Sequence, residues 1–465
     1  MKKLKYILLI FTVVSLSACF FVDDEYDDDV SNYKYGNYNN SPVKSVACKP
    51  QFAPQTVSDG SIVTITYTDK NYNFVKIFPD GTTKTTPLNF TWSESNSFSQ
   101  MQPSGDVPSG DVPSGGFQQP TNNSTYEMDA DISTTMFLKN CNDEYYFAHY
   151  NSNDFGRYYY AVVKFDKDCN IVFQIDSTVN AMGGGPMGGG SRTVTKTPVA
   201  GTPLNNGGYA MIMQAASVGM MQNEDHNLTL RIINTEGKVA ADYTLEFSEM
   251  VKIETVLNVN NNIAVYYQLS DNTNYINLYT LNGQLLGTLP SDSKRSIYTY
   301  ITYGEHVFTS GYDSEIQKFF LQQLDQYGQS IKDETFDVSA VIYNITEFDG
   351  KRCFAGVRQT NFDPATYDPD NYLDYIVNSD GLIMLNDNGE FETPIIANYN
   401  NGVIIYAVFK NEDNTYTIYL SQITPLATLA SRLGGQMYVY RTIASRLCDK
   451  ILIYRTADLK KLEVN

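Results

Sequence analysis

Residues able to ligate, titrate or attack are few in this chain, and they are scattered. The three histidines, His149, His226 and His306, stand far apart with no His-x-x-His spacing, so a histidine-based metal centre is not expected. Six of the thirteen methionines fall between Met182 and Met221. Clustered thioethers suit Cu(I), but no ligand geometry is set here, and Met211 and Met213 alternate on one strand-like run as core filling does. The stretch DPATYDPDNYLD offers Asp363, Asp368, Asp370, Asn371 and Asp374 as closely spaced oxygen ligands of the kind Ca²⁺ takes. It lacks the glycine and closing glutamate of an EF-hand loop and reads as a solvated loop. MGGGPMGGGS at 182–191 lacks the lysine and the helix of a phosphate cradle, and no G-x-S-x-G turn occurs. No metal, cofactor or catalytic residue is assigned.

Glycosidic hydrolysis would need two carboxyl groups, one acid and one nucleophile or base. Asp129, Asp131, Glu254 and Glu347 sit on runs that the repeat described next would make innermost. As single acids they read as structural or solvated, and a carbohydrate-active enzyme is the alternative rather than the first reading.

The elements around these residues repeat. FPDGTT, FDKDCNIV, INTEGKV, TLNGQLL, LDQYGQSI and LNDNGEF each lie between β-rich runs, with Gly81, Cys169, Gly237, Gly283, Gly328 and Gly389 at the tight position. Such turns need positive φ, which Gly supplies without strain. Gly237, Gly283 and Gly328 follow at intervals of 46 and 45 residues, and the wider gaps hold PSGDVPSGDVPSGG, MGGGPMGGGS and NFDPATYDPDNYLD. A second turn alternates with the first at Gly60, Asp143, Gly208, Asn262, Gly304, Gly350 and Asn414. Each unit thus reads as four antiparallel strands, A to D, in about 45 residues. Abundant Tyr, Phe, Val, Ile and Thr in short alternating runs fit strands, and the 36 tyrosines read as sheet packing before sugar-stacking platforms.

This pattern resembles the β-propeller repeat proteins of bacterial envelopes. The resemblance covers roughly 45–465 and implies an all-β fold of seven four-stranded antiparallel blades, with six to eight allowed. Two β-sandwiches are the rival architecture. The WD dipeptide and the kelch double glycine do not recur, so no functional family follows. The closing IYRTADLKKL resembles a strand end of some glycoside-hydrolase propellers, which is what keeps the enzyme alternative open. Insertions are placed near 95–125 and 182–203. The last unit is irregular: TPLATLASRLGG suggests a short helix from Thr424 to Gly434, QMYVYRTI and ILIYRT suggest the final strands, and ASRLCDK suggests the seventh C–D turn.

The amino terminus carries an address. Lys2, Lys3 and Lys5 precede the apolar run Tyr6 to Val14, too short to span a bilayer and right for a signal peptide. Leu16-Ser17-Ala18-Cys19 follows and is similar to the lipobox of bacterial lipoproteins. That likeness implies cleavage after residue 18, acylation of Cys19 (palmitate among the chains), and outer-membrane anchoring. Six acids lie within Asp23–Asp29. They suit an extended tether over 19–44 and resemble surface-export signals, which implies cell-surface display.

Removing the first eighteen residues takes three lysines and no acids, so the formal charge falls from −19 to −22. Nucleic acid is excluded as a partner on that ground. Residues 425–465 run the other way, with seven basic residues against three acids. Beyond Cys19 there are five cysteines, an odd number, in a chain bound for an oxidising compartment. Ring closure would bring Cys48 near Cys448, the candidate disulfide. The expected role is a lipid-anchored, surface-exposed binding or scaffolding module with a glycan or protein partner. A structural subunit of an envelope complex is a further alternative.

Overall fold

The structure is a computed structural model. It describes residues 42–68, 71–90, 135–152, 157–180, 196–215, 226–291, 294–335, 340–359, 379–387, 390–397, 402–422 and 448–462. Strand β1 (Pro42–Ala47) comes first in the chain but belongs to the last blade. Blade 1 is β2 (Gln55–Thr56), β3 (Ile62–Thr68), β4 (Asn71–Ile77) and β5 (Thr83–Leu88). Blade 2 is β6 (Thr135–Lys139), β7 (Tyr145–Ser152), β8 (Arg157–Phe165) and β9 (Ile171–Asn180). Blade 3 is β10 (Lys196–Pro203), β11 (Tyr209–Ala215), β12 (Leu228–Ile233) and β13 (Val239–Leu245). Blade 4 is β14 (Lys252–Val259), β15 (Asn262–Gln268), β16 (Asn274–Thr280) and β17 (Leu285–Pro290). Blade 5 is β18 (Arg295–Tyr303), β19 (His306–Asp313), β20 (Lys318–Leu324) and β21 (Ser330–Thr335). Blade 6 is β22 (Ala340–Phe348), β23 (Lys351–Gln359), β24 (Ser379–Asp387) and a split outer strand, β25 (Glu390–Phe391) and β26 (Ile395–Ala397), both on β24. Pro394, which has no N–H to donate, stands at the split. Blade 7 is β27 (Val403–Lys410), β28 (Tyr416–Gln422) and β29 (Lys450–Thr456), completed by β1.

The fold is therefore a seven-bladed propeller of four-stranded antiparallel sheets, and the two-sandwich rival falls. The closing strand corrects one expectation. ASRLCDK is not a C–D turn, because Lys450 opens the third strand of blade 7 and the fourth comes from the opposite end of the chain. The register runs from Pro42↔Tyr454 to Ala47↔Lys450, which joins both sheet edges into a ring. β1 includes residues 42–44 of the stretch read as tether, and β10 includes residues 196–203 of the stretch read as insertion. Pro198 sits at a β-bulge of an innermost edge strand, where a missing N–H breaks no ladder.

The hairpins explain the repeat. Five C–D turns share one bond pair, from Gly81 N to Phe78 O, Cys169 N to Asp166 O, Gly237 N to Asn234 O, Gly283 N to Thr280 O and Gly328 N to Asp325 O. In three of them the Oδ1 of the turn's first residue, Asp166, Asn234 or Asp325, accepts two backbone N–H groups. Asp325 Oδ1, for example, accepts from Tyr327 N and Gln329 N, both at 2.8 Å. Gly237 (φ +80) and Gly283 (φ +77) are glycine for two reasons. Their φ strains other residues, and an added Cβ would lie 2.7 Å from Phe173 Cβ or 2.5 Å from Tyr243 Cβ on the preceding blade. The turn of one blade is thereby seated on the outer strand of the one before.

Second strands are buried on both faces because blades stack face to face; Ile263 to Tyr267 of β15 are all buried. Outer strands such as β13 are largely solvent-facing. Aromatic rings fill the wedge between blades. Phe74 of β4 stacks on Phe165 of β8 with centroids 4.1 Å apart and planes 4° from parallel.

Candidate functional site at the channel mouth

Antiparallel order places every A–B and C–D turn at one end of the ring and every B–C and D–A connection at the other. Innermost strands β2, β6, β10, β14 and β18 run toward the turn end and surround a narrow opening whose polar lining, Lys139, Asn140, Thr202, Asn258 and Glu305 among it, alternates with apolar residues such as Leu138, Leu257 and Val307. Its cavity volume is about 40 Å³, space for a few waters and far below that of an ordinary small-molecule site.

Most donors here are already engaged. Lys139 Nζ donates to Thr56 O at 2.8 Å and pairs with Asp143 at 2.7 Å. Burial alone would raise the Asp143 carboxyl, but Lys139 and the hydrogen bonds from Ser58 outweigh it and hold the group below its ordinary value. Asn140 Nδ2 donates to Glu144 Oε2 at 2.6 Å and to Leu204 O at 3.1 Å, tying blade 2 to blade 3. Asn258 Nδ2 donates to Asn205 Oδ1 at 3.0 Å, while Asn258 Oδ1 is buried with no acceptor bond filled from the protein. That oxygen can accept from water or from a donor reaching the opening. One blade further round, the Tyr303 hydroxyl of blade 5 donates to the Glu347 carboxylate of blade 6, and the Arg352 guanidinium lies 5.9 Å from the Tyr303 ring centre. Burial, then Glu347, pushes the Tyr303 hydroxyl up to about 12.

Deeper in, the innermost strands are stitched to each other. Strands β10, β14, β18, β22 and β27 each carry a register shift, around Val199, Glu254, Tyr298, Tyr343 and Tyr406. Just beyond it, Thr299 Oγ1 donates to Ile342 O at 2.6 Å. Asn344 Nδ2 donates to Tyr406 O at 2.9 Å and Pro54 O at 2.7 Å. Hydroxyls and amides hold the ring from within. Thr299 and Asn344 donate to backbone carbonyls of the following blades.

The residues singled out from sequence do not converge. Glu254, third in β14, is exposed and pairs with Lys252 at 2.7 Å. Glu347 is next to last in β22, so the two stand toward opposite ends of the channel. His149 is buried 6.3 Å from the Tyr72 ring, and His306 Nδ1 shares a hydrogen bond with Gln323 at 3.2 Å. Met211 and Met213 lie in an apolar cluster with Tyr146 and Tyr209. Among the described residues no group of three or more His, Cys, Asp or Glu could hold a metal ion. Of the basic residues near the carboxyl end, Arg455 pairs with Asp413, and Lys460 lies 3.4 Å from Glu392. Cys19, the acidic tether to residue 41, Asp129, Asp131, Asp363 to Asp374, the Gly-Met stretch, Gly389, the 424–434 helix and QMYVYRTI lie outside the described residues. The stitching residues Thr299 and Asn344 were missed. Their one sequence signal is an Ile-Tyr pair before each, repeated at Ile405-Tyr406.

No protein-family model matches the chain, and no curated protein does. Solved structures similar to it include the β-propeller domain of the Trilobed protease from Pyrococcus furiosus, with 10% identity, TM-score 0.35, and coverage of 80% of this chain and 90% of that one. A structure of BBS1N in complex with ARL6DN covers 92% and 98%, with 10% identity and TM-score 0.38. A study of two prolyl endopeptidases supplies a chain of which 45% is covered, with 10% identity and TM-score 0.37.

Proposed function

We propose that this chain is a lipid-anchored, surface-displayed binding or scaffolding module of a bacterial envelope, held through Cys19 and recognising a glycan or a protein. The observation that carries the reading is the inequality of the ring's two ends. At the turn end no connection among the described residues exceeds five residues, as at 57–61 and 140–144. The strands flanking 89–134, 181–195, 216–227, 360–378 and 423–449 all meet those stretches at the opposite end. A rigid ring that gathers its sequence freedom at one rim is built to present it, as binding scaffolds do. The amide and hydroxyl chemistry of the channel supports holding a partner rather than transforming one.

A soluble full-length Cys19→Ser chain, applied to glycan and peptide arrays, tests the binding half. Saturable capture of one class is expected. Turnover of arrayed glycans would replace the reading with the carbohydrate-active enzyme, and no capture at all would leave the structural subunit. Membrane fractionation with labelled palmitate tests the anchor: Cys19→Ser is expected in the soluble fraction without label, and unchanged retention would overturn it.

A further inference from the structure

We propose that Cys48 and Cys448 form a disulfide that locks the closing strand of the ring. Cys48 directly follows β1 and Cys448 lies two residues before β29, the pair of strands that joins the chain's two ends. Ala47 faces Lys450, and the ladder continues one step further with Cys48 N donating to Asp449 O at 3.0 Å. Cys448 then stands one residue diagonally beyond that pair. A lateral spacing near 5 Å and a rise near 3.3 Å put such a diagonal at about 6 Å between Cα atoms, within the range that disulfides bridge. Asp449 is exposed, while Cys48 (7% exposed) and Cys448 (0%) turn into the same apolar cluster. Tyr406 of β27 belongs to the same cluster. Both cysteines are thiols in the structure.

The competing pair is less well placed. Cys141 lies in the A–B turn of blade 2 and Cys169 in its C–D turn, on hairpins separated by two ladder steps.

The chemistry is thiol–disulfide exchange with a disulfide oxidant, either a small-molecule disulfide or a dithiol oxidoreductase. One thiolate attacks the oxidant's disulfide and expels a thiol. The second cysteine, as thiolate, attacks the mixed disulfide and expels the other. Two cysteine thiols become one S–S bond, and the oxidant's disulfide becomes two thiols. Burial pushes both thiols up to about 12 in the closed ring, so little thiolate is present there. The bond therefore forms while the seam is open, during folding, and is shielded from reductant afterwards.

The test is refolding of the full chain in glutathione redox buffer, followed by alkylation and non-reducing peptide mapping. A Cys48–Cys448 linked peptide is expected, absent from Cys48→Ser and from Cys448→Ser. The folded reduced chain should acquire the same link at least tenfold more slowly than the refolding chain. Oxidised protein should melt a few degrees above reduced protein, and a Cys48→Ala/Cys448→Ala chain should melt identically with and without reductant. Should the serine variants not fold, the wild-type peptide map decides alone. Full alkylation of both cysteines after oxidative refolding, or a Cys141–Cys169 link in place of this one, would overturn the proposal.

Discussion

Asn344 Nδ2 donates to Pro54 O at 2.7 Å, across 290 positions of sequence. The same amide donates to Tyr406 O, so one buried side chain in blade 6 holds the innermost strands of blade 7 and the entry to blade 1. The outer seam at β1 is thus matched by an inner clasp. Nearby, the Tyr419 hydroxyl of blade 7 donates to Gly60 O of blade 1 at 2.9 Å.

Asn344→Leu is expected to cost about 2 to 4 kcal/mol of stability, because two carbonyls lose their buried donor and a leucine cannot replace it. Asn344→Asp should be at least as damaging, since a carboxylate there faces two carbonyl oxygens. Denaturant unfolding of both variants checks this. A loss below about 0.5 kcal/mol for Asn344→Leu would mean that the clasp contributes little.

Much of this fold was legible in turns and little of it in strands. Gly81, Gly237, Gly283 and Gly328 mark hairpins because positive φ selects glycine wherever a five-residue C–D turn recurs. Cys169 occupies the same position at φ +65 and is recognisable only by its neighbours. Blade number followed from counting such turns. The identity of the closing strand did not, because pairing Val46 with Ile451 is a relation between distant parts of the chain that no local pattern encodes. The channel clasp was hidden for a similar reason. Asn344 sits among apolar residues of β22, and its partners are backbone carbonyls, which every residue has.

Two glycine replacements separate conformational strain from blade contact. Gly350 has φ +72 and open space where a Cβ would stand, so Gly350→Ala is expected to cost about 1 kcal/mol. Gly283→Ala carries the same strain and also drives a methyl group into Tyr243, so about 1 to 3 kcal/mol more is expected. Paired melting curves test the difference. Equal losses would show that blade 4 does not seat on blade 3 as described.

Removing β1 opens the ring. A chain beginning at residue 49 exposes the edge of β29, with Ile451 and Ile453 no longer covered from that side. Such a chain is expected to aggregate or to lose its cooperative transition, while one beginning at residue 42 should behave as the full chain does. Size-exclusion chromatography with thermal unfolding distinguishes the two. A monodisperse, cooperative chain from residue 49 would show that β1 is dispensable.

Acid stability should follow the turn-end carboxylates. Asp143 is held below its ordinary value: burial opposes this, but Lys139 and Ser58 prevail. Asp59 behaves alike, with burial outweighed by the hydrogen bonds of Lys76, itself buried, and of Ser61. A carboxyl held low binds its proton more weakly in the folded ring than in the unfolded chain. Its stabilisation is complete above the unfolded value of about 3.9 and is lost as pH falls through the folded one. Stability is therefore expected to be level from neutrality to roughly pH 5 and to fall below about pH 4. Asp143→Asn should be less stable at pH 7, because Lys139 loses its countercharge, and should show a shallower decline on the acid side. Denaturant midpoints at pH 7, 5, 4 and 3 for the two proteins decide it. An acid decline as steep in Asp143→Asn as in the parent would remove Asp143 from the account.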